Sequence, residues 1–274
     1  MGNIINVGKL NYLNTIIFFL ELEAGSGNLR FFNGHPAQLN HMLRNGEIDI
    51  SPSSSIEFAM RPRQYLVLPD ISISSIKHVK SVLLFSKVAL SEISSKRIAI
   101  TTASATSVAL LRILLEIFMG HKPDYFPSSS DPYTAYTNAD AVLAIGDDAL
   151  MYNRKIKAEF VYDLGNIWHE LTGLPFVFAL WIMRRNSFYG NKGGFKQLHQ
   201  VLLAAKRKFV QNKESYLENV PQNKWMSQED ILLYWQTLNY DLTPLHMESL
   251  KKFYELSAKM TFIPKAPHIA VADL

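Results

Sequence analysis

SVLLFSK, residues Ser81–Lys87, and FVFALWIM, residues Phe176–Met183, are the two long β-like runs of the chain, and each stands at a change of section. A chain that leaves one lobe along the first and returns along the second makes two lobes joined by a double crossover. Ligand sites commonly lie in the cleft between such lobes. This reading assigns residues 1–87 with 182–274 to lobe one and residues 88–181 to lobe two.

Outward from these runs, short β-like segments alternate with amphipathic helices. Strands are expected at Ile4–Gly8, Leu29–Phe32, Ile48–Ser51, Tyr65–Leu68, Arg97–Thr101, Asp124–Phe126, Ala141–Ile145 and Phe160–Asp163. Helices are expected at Thr15–Glu23, Pro36–Asn45, Ser55–Met60, Ser107–Met119, Asp147–Tyr152 and Ile167–Leu171. The alternation specifies α/β units with mostly parallel sheets. Pro36 suits a first helical turn and Gly46 a C-cap, while Asp147 and Asp148 of GDDAL suit a helix start. From Lys196 the chain reads as helices without strands, and the tail PKAPHIAVADL as loose or laid along the surface.

The chain has 274 residues, 48% hydrophobic, a net charge of +4 and no cysteine. This is enough apolar material for one large domain or two lobes. The missing cysteines exclude disulfides, thiolate metal sites and a cysteine nucleophile. The basic residues are spread, densest at AAKRKF near Lys206, without the patch and reader motif of a nucleic-acid binder. Mild basicity suits a small anionic ligand. MGNIINVGKL enters a strand without a secretory pattern, and Asn6 stands where myristoylation favours Ser or Thr. No apolar run reaches membrane-spanning length. These features give the expectation of a cytoplasmic protein with no nucleic-acid or membrane partner.

Hydroxyl-rich loops are the chemical signal: SPSSS (Ser51–Ser55), SISS (Ser72–Ser75), TTASATS (Thr101–Ser107) and PSSSDP (Pro127–Pro132). Free N–H groups at a helix start, with neighbouring hydroxyls, bind carboxylate or phosphate; the same residues also serve as ordinary N-caps. GxSxG, GxxxxGK[ST] and GxGxxG are absent, and GSGN at Gly25–Asn28 has the wrong context for a dinucleotide. The eight His are scattered; His35 and His41 do not share a helix face, and NIWHELTG is not a zincin motif. Glu57, Asp147 and Asp148 sit at helix starts, where carboxylates serve as caps or face a ligand. Tyr133, Tyr136 and Trp168 are candidates to pack on a ring-shaped ligand, whereas Trp181 belongs to the core.

Taken in order, VGKLNYLNT, GEIDISPSSSIEF, ISISSIKHVKSVLLFSK, IAITTASATSVALLRILL, ADAVLAIGDDAL and YDLGNIWHELTGLPFVFALW resemble the chorismate dehydratase family of menaquinone biosynthesis by the futalosine route. The resemblance runs from Val7 to about Met183. It implies a two-lobed, periplasmic-binding-protein-like type II α/β fold with a central cleft and C-terminal helices. It also implies chorismate as substrate, dehydration to 3-[(1-carboxyvinyl)oxy]benzoate, cytosolic action, and no metal or organic cofactor.

A sister enzyme of that route, which forms a dihydroxynaphthoate, is the runner-up; a non-catalytic binding protein for a small carboxylate is the third reading. By the resemblance, Asn14 and Ser86 are catalytic, Asn14 donating from its amide and Ser86 bonding the ring hydroxyl or the enolpyruvyl carboxylate. Ser104, Thr106 and Ser107 bind one carboxylate, Ser54 and Ser55 act from the other lobe, and Gly146 and Asp147 line the far wall. SPSSS departs from the family pattern, which is more apolar before the serine pair, so the roles of Ser51 and Ser53 stay open, as do those of Asn11 and Tyr12.

Overall fold

The computed structural model describes residues 4–25, 28–129 and 131–274. Ser26 and Gly27 of GSGN, Ser130 of PSSSDP and the first three residues lie outside the described residues. The first sheet is built from β1 (Ile5–Lys9), β2 (Leu29–Asn33), β3 (Ile50–Ser54), β4 (Tyr65–Ser75) and β10 (Phe176–Arg184), in the order β2-β1-β3-β10-β4. The second is built from β5 (Val82–Ser86), β6 (Arg97–Thr101), β7 (Asp124–Ser128), β8 (Ala141–Ile145) and β9 (Phe160–Asp163), in the order β7-β6-β8-β5-β9.

The two sheets repeat one plan. In the first, β1 runs parallel to β2 and β3 while β10 runs antiparallel to β3 and β4. In the second, β6 runs parallel to β7 and β8 while β5 runs antiparallel to β8 and β9. The chain therefore passes between sheets at 76–81 and again at 173–175. This corrects the strand assignment implied by boundaries at 87 and 182. Val82–Ser86 is a fully buried strand of the second sheet, and all of Phe176–Met183 is in the first.

Between the strands lie α1 (Ile16–Ala24), α2 (Pro36–Asn45), α3 (Ser55–Met60), α4 (Ala105–Arg112), α5 (Pro132–Thr137), α6 (Gly146–Tyr152) and α7 (Leu164–Thr172). The ends follow local chemistry. Pro36 opens α2, and Gly46 closes it with φ +82°, a left-handed conformation that glycine adopts without strain. The Asp163 carboxylate accepts from the N–H of Asn166 at the start of α7. Past Arg112, α4 widens into a π-helical turn over Ile113–Phe118. After β10 come α8 (Arg185–Gly190), α9 (Lys192–Gln211), α10 (Gln228–Trp235) and α11 (Pro244–Lys259).

β4 is longer than its sequence suggests, because Pro69 and Asp70 break the apolar run and SISS reads as a loop. The strand continues through an irregularity at Asp70, which has φ +62°, and Ser72, Ser74 and Ser75 are buried within it. Ser72 and Ser74 bond the backbone at Asp241 and Asn239, so these hydroxyls serve the sheet edge rather than a ligand. The tail closes the same edge, with Ala272 N–H donating to the Val67 carbonyl at 2.9 Å.

Both sheets bury apolar side chains. Trp181 is fully buried between Phe18 and Phe19, as expected of a core residue. Trp168 is not a ligand-stacking residue. It is fully buried among Phe118, Phe176 and Phe253, and its indole N–H donates to the Ser249 hydroxyl at 3.2 Å. Removing such a side chain opens a cavity the surroundings refill only in part. Trp168→Ala is expected to cost about 3–5 kcal/mol, read as a lowered denaturant midpoint at unchanged m-value.

Candidate functional site

The carboxyl ends of the parallel strands in both sheets face one another, and open α/β sheets bind ligands at such ends. The cleft there spans about 640 Å³ including its mouth. Its first wall is the β1–α1 corner, with Leu10, Tyr12, Asn14 and Thr15. Pro52, Ser53 and Ser54 come from the end of β3, and Ile73 from β4. Phe178 and Ala179 of β10 complete the lobe-one side. The other side is formed by Ala103, Ser104 and Ser107 at the start of α4 and by Ile145 and Gly146 at the start of α6. Val79, Ser81 and Val82 of the crossover close the back. Among the described residues, no Lys, Arg, His, Asp or Glu lines this cleft.

The corner Asn11–Thr15 is held by its backbone. The Thr15 hydroxyl donates to the carbonyls of Leu10 and Tyr12, both at 3.0 Å. The indole N–H of Trp235 donates to the Leu13 carbonyl at 3.1 Å, and the Tyr240 hydroxyl to the Asn14 carbonyl at 2.9 Å. The Leu13 N–H donates to the Asp147 carboxylate at 3.1 Å across the cleft. With its main chain fixed, Asn14 presents its side chain to the cleft. Its Oδ1 is buried without a hydrogen-bond partner among the described residues, a cost of about 1–3 kcal/mol that a ligand donor offsets.

A second orphan, the Ser53 hydroxyl, lies in the same wall. Ser54 precedes α3 but its side chain makes no capping bond, so its hydroxyl also faces the cleft uncommitted to the helix. Opposite, the Ser104 hydroxyl accepts from the Ser107 N–H at 3.2 Å and donates to the Ser107 hydroxyl at 3.0 Å, an N-cap whose outer hydroxyl remains a donor toward the cleft. At Gly146 (φ +60°) glycine relieves the backbone, and the Tyr12 ring lies over the start of α6, where an added Cβ would meet it in ordinary contact at 3.5 Å. Burial and the nearby Asp147 and Asp148 push the Tyr12 hydroxyl up to about 12.

The structure thus gathers Asn14, Ser54, Ser104, Ser107 and Gly146 around one space. Four other expected residues are elsewhere. Thr106 is fully buried, and its hydroxyl accepts from the Ile56 N–H at 3.0 Å and meets the Ser55 hydroxyl at 3.4 Å. These two residues knit one lobe to the other behind the cleft. The Asp147 carboxylate turns away to accept from Leu13 N–H and, at 2.8 Å, from the Gln222 amide. Burial first, and Asp148 more weakly, raise its pKa against the opposing effect of those two bonds.

Ser86 is the fourth. Its hydroxyl donates to the Val88 carbonyl at 2.7 Å and accepts from the Val88 N–H at 3.2 Å. Because β5 runs antiparallel to β8, Val82 pairs with Ile145 at the cleft, whereas Ser86 pairs with Ala141 at the far end, about 13 Å along the strand. The crossover serine at the cleft is Ser81. Tyr133 is exposed, and Lys87 lies over the Tyr136 ring, so neither aromatic joins the site. Phe178 and Ser81 are not singled out by the sequence, and Ser53, whose role the sequence leaves open, lines the same space. A serine at the start of the crossover run was the available signal, but only the strand's direction shows which end matters.

The family model for menaquinone biosynthesis matches residues 5–259. The chain is 36% identical over 185 residues to a chorismate dehydratase of Thermus thermophilus, a match covering 62% of this chain and 65% of that protein, just under two thirds of its length. It is 27% identical over 253 residues to a chorismate dehydratase of Campylobacter jejuni, covering 90% and 94%. The periplasmic aliphatic sulphonate binding protein of Escherichia coli superposes with a TM-score of 0.71 at 14% identity, covering 98% of this chain and 96% of that one. That likeness shows the two-lobed periplasmic-binding-protein-like fold. With its family's pattern spanning nearly its whole length, the chain belongs to the menaquinone biosynthesis family.

Proposed function

We propose that the protein is a chorismate dehydratase, a hydro-lyase that converts chorismate to 3-[(1-carboxyvinyl)oxy]benzoate and water. The observation that carries this reading is the make-up of the cleft. Apolar side chains (Ile73, Val79, Val82, Ile145 and Phe178) suit a six-membered ring, and neutral donors on opposite walls suit two carboxylates. The names of the relatives from Thermus and Campylobacter support it. We assign one carboxylate to Ser53 and Ser54, the other to Ser104 and Ser107, and the ring hydroxyl to Asn14 and Ser81. The two sheets act as lobes hinged at 76–81 and 173–175, and the activity belongs to the cytoplasm.

In this reaction the ring C–O bond breaks toward the hydroxyl. The C–H bond of the neighbouring ring carbon, which carries the ether, also breaks, and its electron pair becomes the new ring double bond. The proton goes first to a base and then, directly or through solvent, balances the departing hydroxide, so that the net loss is one water. The product ring is aromatic, so the driving force lies in the substrate. The protein's part is to orient the reacting groups and to oppose competing rearrangement. The orphaned Oδ1 of Asn14 accepts from the ring hydroxyl, and Ser81 donates to that oxygen as it departs. Among the described residues the cleft is lined by no Lys, Arg, His, Asp or Glu, the Tyr12 phenol that does line it stays protonated, and Asp147 is turned away. A substrate carboxylate therefore takes the ring proton.

Incubation with chorismate, read by mass spectrometry, is expected to give a product lighter by one water. Unchanged chorismate from folded protein overturns the reading, and tight binding without turnover favours a solute-binding protein. Turnover of cyclic dehypoxanthinyl futalosine instead points to the sister enzyme. Asn14→Asp places an anion beside an anionic substrate, and kcat/KM is expected to fall by about 100-fold or more; near-wild-type activity removes Asn14 from the mechanism. Ser81→Ala is expected to lower kcat/KM by at least about tenfold. Ser86→Ala is expected to leave it within about twofold while costing about 1–3 kcal/mol of stability, from the lost bonds to Val88. The reverse pattern overturns the placement of the crossover serine.

A further inference from the structure

α10 belongs to the helical C-terminal section, outside both sheets, yet two of its residues reach the cleft wall from behind. Trp235 holds the Leu13 carbonyl. Tyr234, only 1% exposed, donates its hydroxyl to the Ser81 hydroxyl at 3.0 Å. The Asn14 side chain lies against the same tyrosine hydroxyl. Burial keeps that hydroxyl well above the usual phenol range, so it stays protonated and serves as a donor. One phenol thus touches the two polar side chains at the back of the cleft, one from the β1–α1 corner and one from the crossover.

The polarity of this contact has a consequence. A serine hydroxyl carries one proton and two acceptor sites. Ser81 accepts from Tyr234, which occupies one acceptor site on the side away from the cleft. Its own proton, which has no acceptor among the described residues, is left to point into the cleft that Ser81 lines. The same phenol packs against Asn14 and limits the rotation of its amide, whose Oδ1 stays buried and unpartnered. A freely rotating serine and amide would have to be ordered at each turnover. Held groups need no such reorganisation, and this is how oriented donors contribute to catalysis.

We propose that Tyr234 is a positioning residue for the reaction: it directs the Ser81 proton toward the substrate's departing oxygen and holds the Asn14 amide in the orientation that receives the ring hydroxyl. The inference rests on the chorismate dehydratase reading and adds to it a residue from the C-terminal helices. It touches no substrate atom.

The test is Tyr234→Phe in the full-length protein, which keeps the ring and removes the oxygen, with chorismate dehydration followed in wild type, Tyr234→Phe, Ser81→Ala and the double variant. The expected result is a fall in kcat of about tenfold, the size of one lost oriented hydrogen bond, with KM changed less than about threefold. The double variant is expected to be slower than Ser81→Ala alone, but by less than the loss Tyr234→Phe causes in wild type, because part of the Tyr234 effect runs through Ser81 and the rest through Asn14. An unchanged kcat, or losses that multiply in the double variant, overturns the inference. If wild type itself leaves chorismate unchanged, the reading of the function fails rather than the positioning role. Should Tyr234→Phe not fold, 3-fluorotyrosine at the same position keeps the shape and alters the hydroxyl's donor strength. A changed kcat at unchanged denaturation midpoint then supports the role, and an unchanged kcat overturns it.

Discussion

The peptide groups around Leu13 tie the molecule together. The N–H of Leu13 reaches Asp147 on the second lobe, and its carbonyl is held by Trp235 of α10. One residue thus joins the first sheet, the second sheet and the C-terminal helices. Gln222 strengthens the joint by donating both to Asp147 and to the Asn11 carbonyl. Asp147 is mostly buried, and burying a carboxylate costs free energy unless hydrogen bonds compensate it. Two donors do so here, and the geometry they require fixes how the lobes meet. Asn14, the next residue, inherits that rigidity.

A second constraint concerns charge. Among the described residues, no cationic side chain lines the cleft proposed to hold a dianion. Neutral donors fixed on rigid elements can stabilise an anion without the large desolvation cost that buried cations carry. They lower the proton affinity of a substrate carboxylate less than a tight ion pair would, although hydrogen bonds to the charged form act in the same direction. A site built from Ser, Asn and backbone amides therefore suits a reaction in which the substrate supplies its own base.

Much of the fold was legible because local chemistry and tertiary packing agree. The alternating strands and helices, the Pro36 and Gly46 ends of α2, and the buried stripe of α4 follow from periodicity and capping. The sequence alone ends β4 at Leu68, because Pro69 and Asp70 look like a terminator. The structure carries the strand past them at an edge, where a missing N–H is tolerated. Trp168 shows the same limit, whereas Trp181, set in an apolar strand, is legible as core. The Trp168 ring is amphipathic, and only its packing distinguishes a core tryptophan from a ligand platform.

The sequence by itself determined which polar residues exist at the ends of strands: Asn14, the serine pair after β3, the hydroxyls before α4, and Gly146. These are local facts, set by what can end a strand, start a helix or adopt a positive φ. The tertiary structure alone decided which of them share a space. β5 enters its sheet antiparallel, so Ser81 faces the cleft and Ser86 does not. Thr106 and Ser55 are spent on each other, Asp147 on the Leu13 peptide, and Tyr234 is brought in from more than two hundred residues beyond Asn14. Strand direction and long-range hydrogen bonding leave no periodic trace in the chain, because they depend on partners distant in sequence.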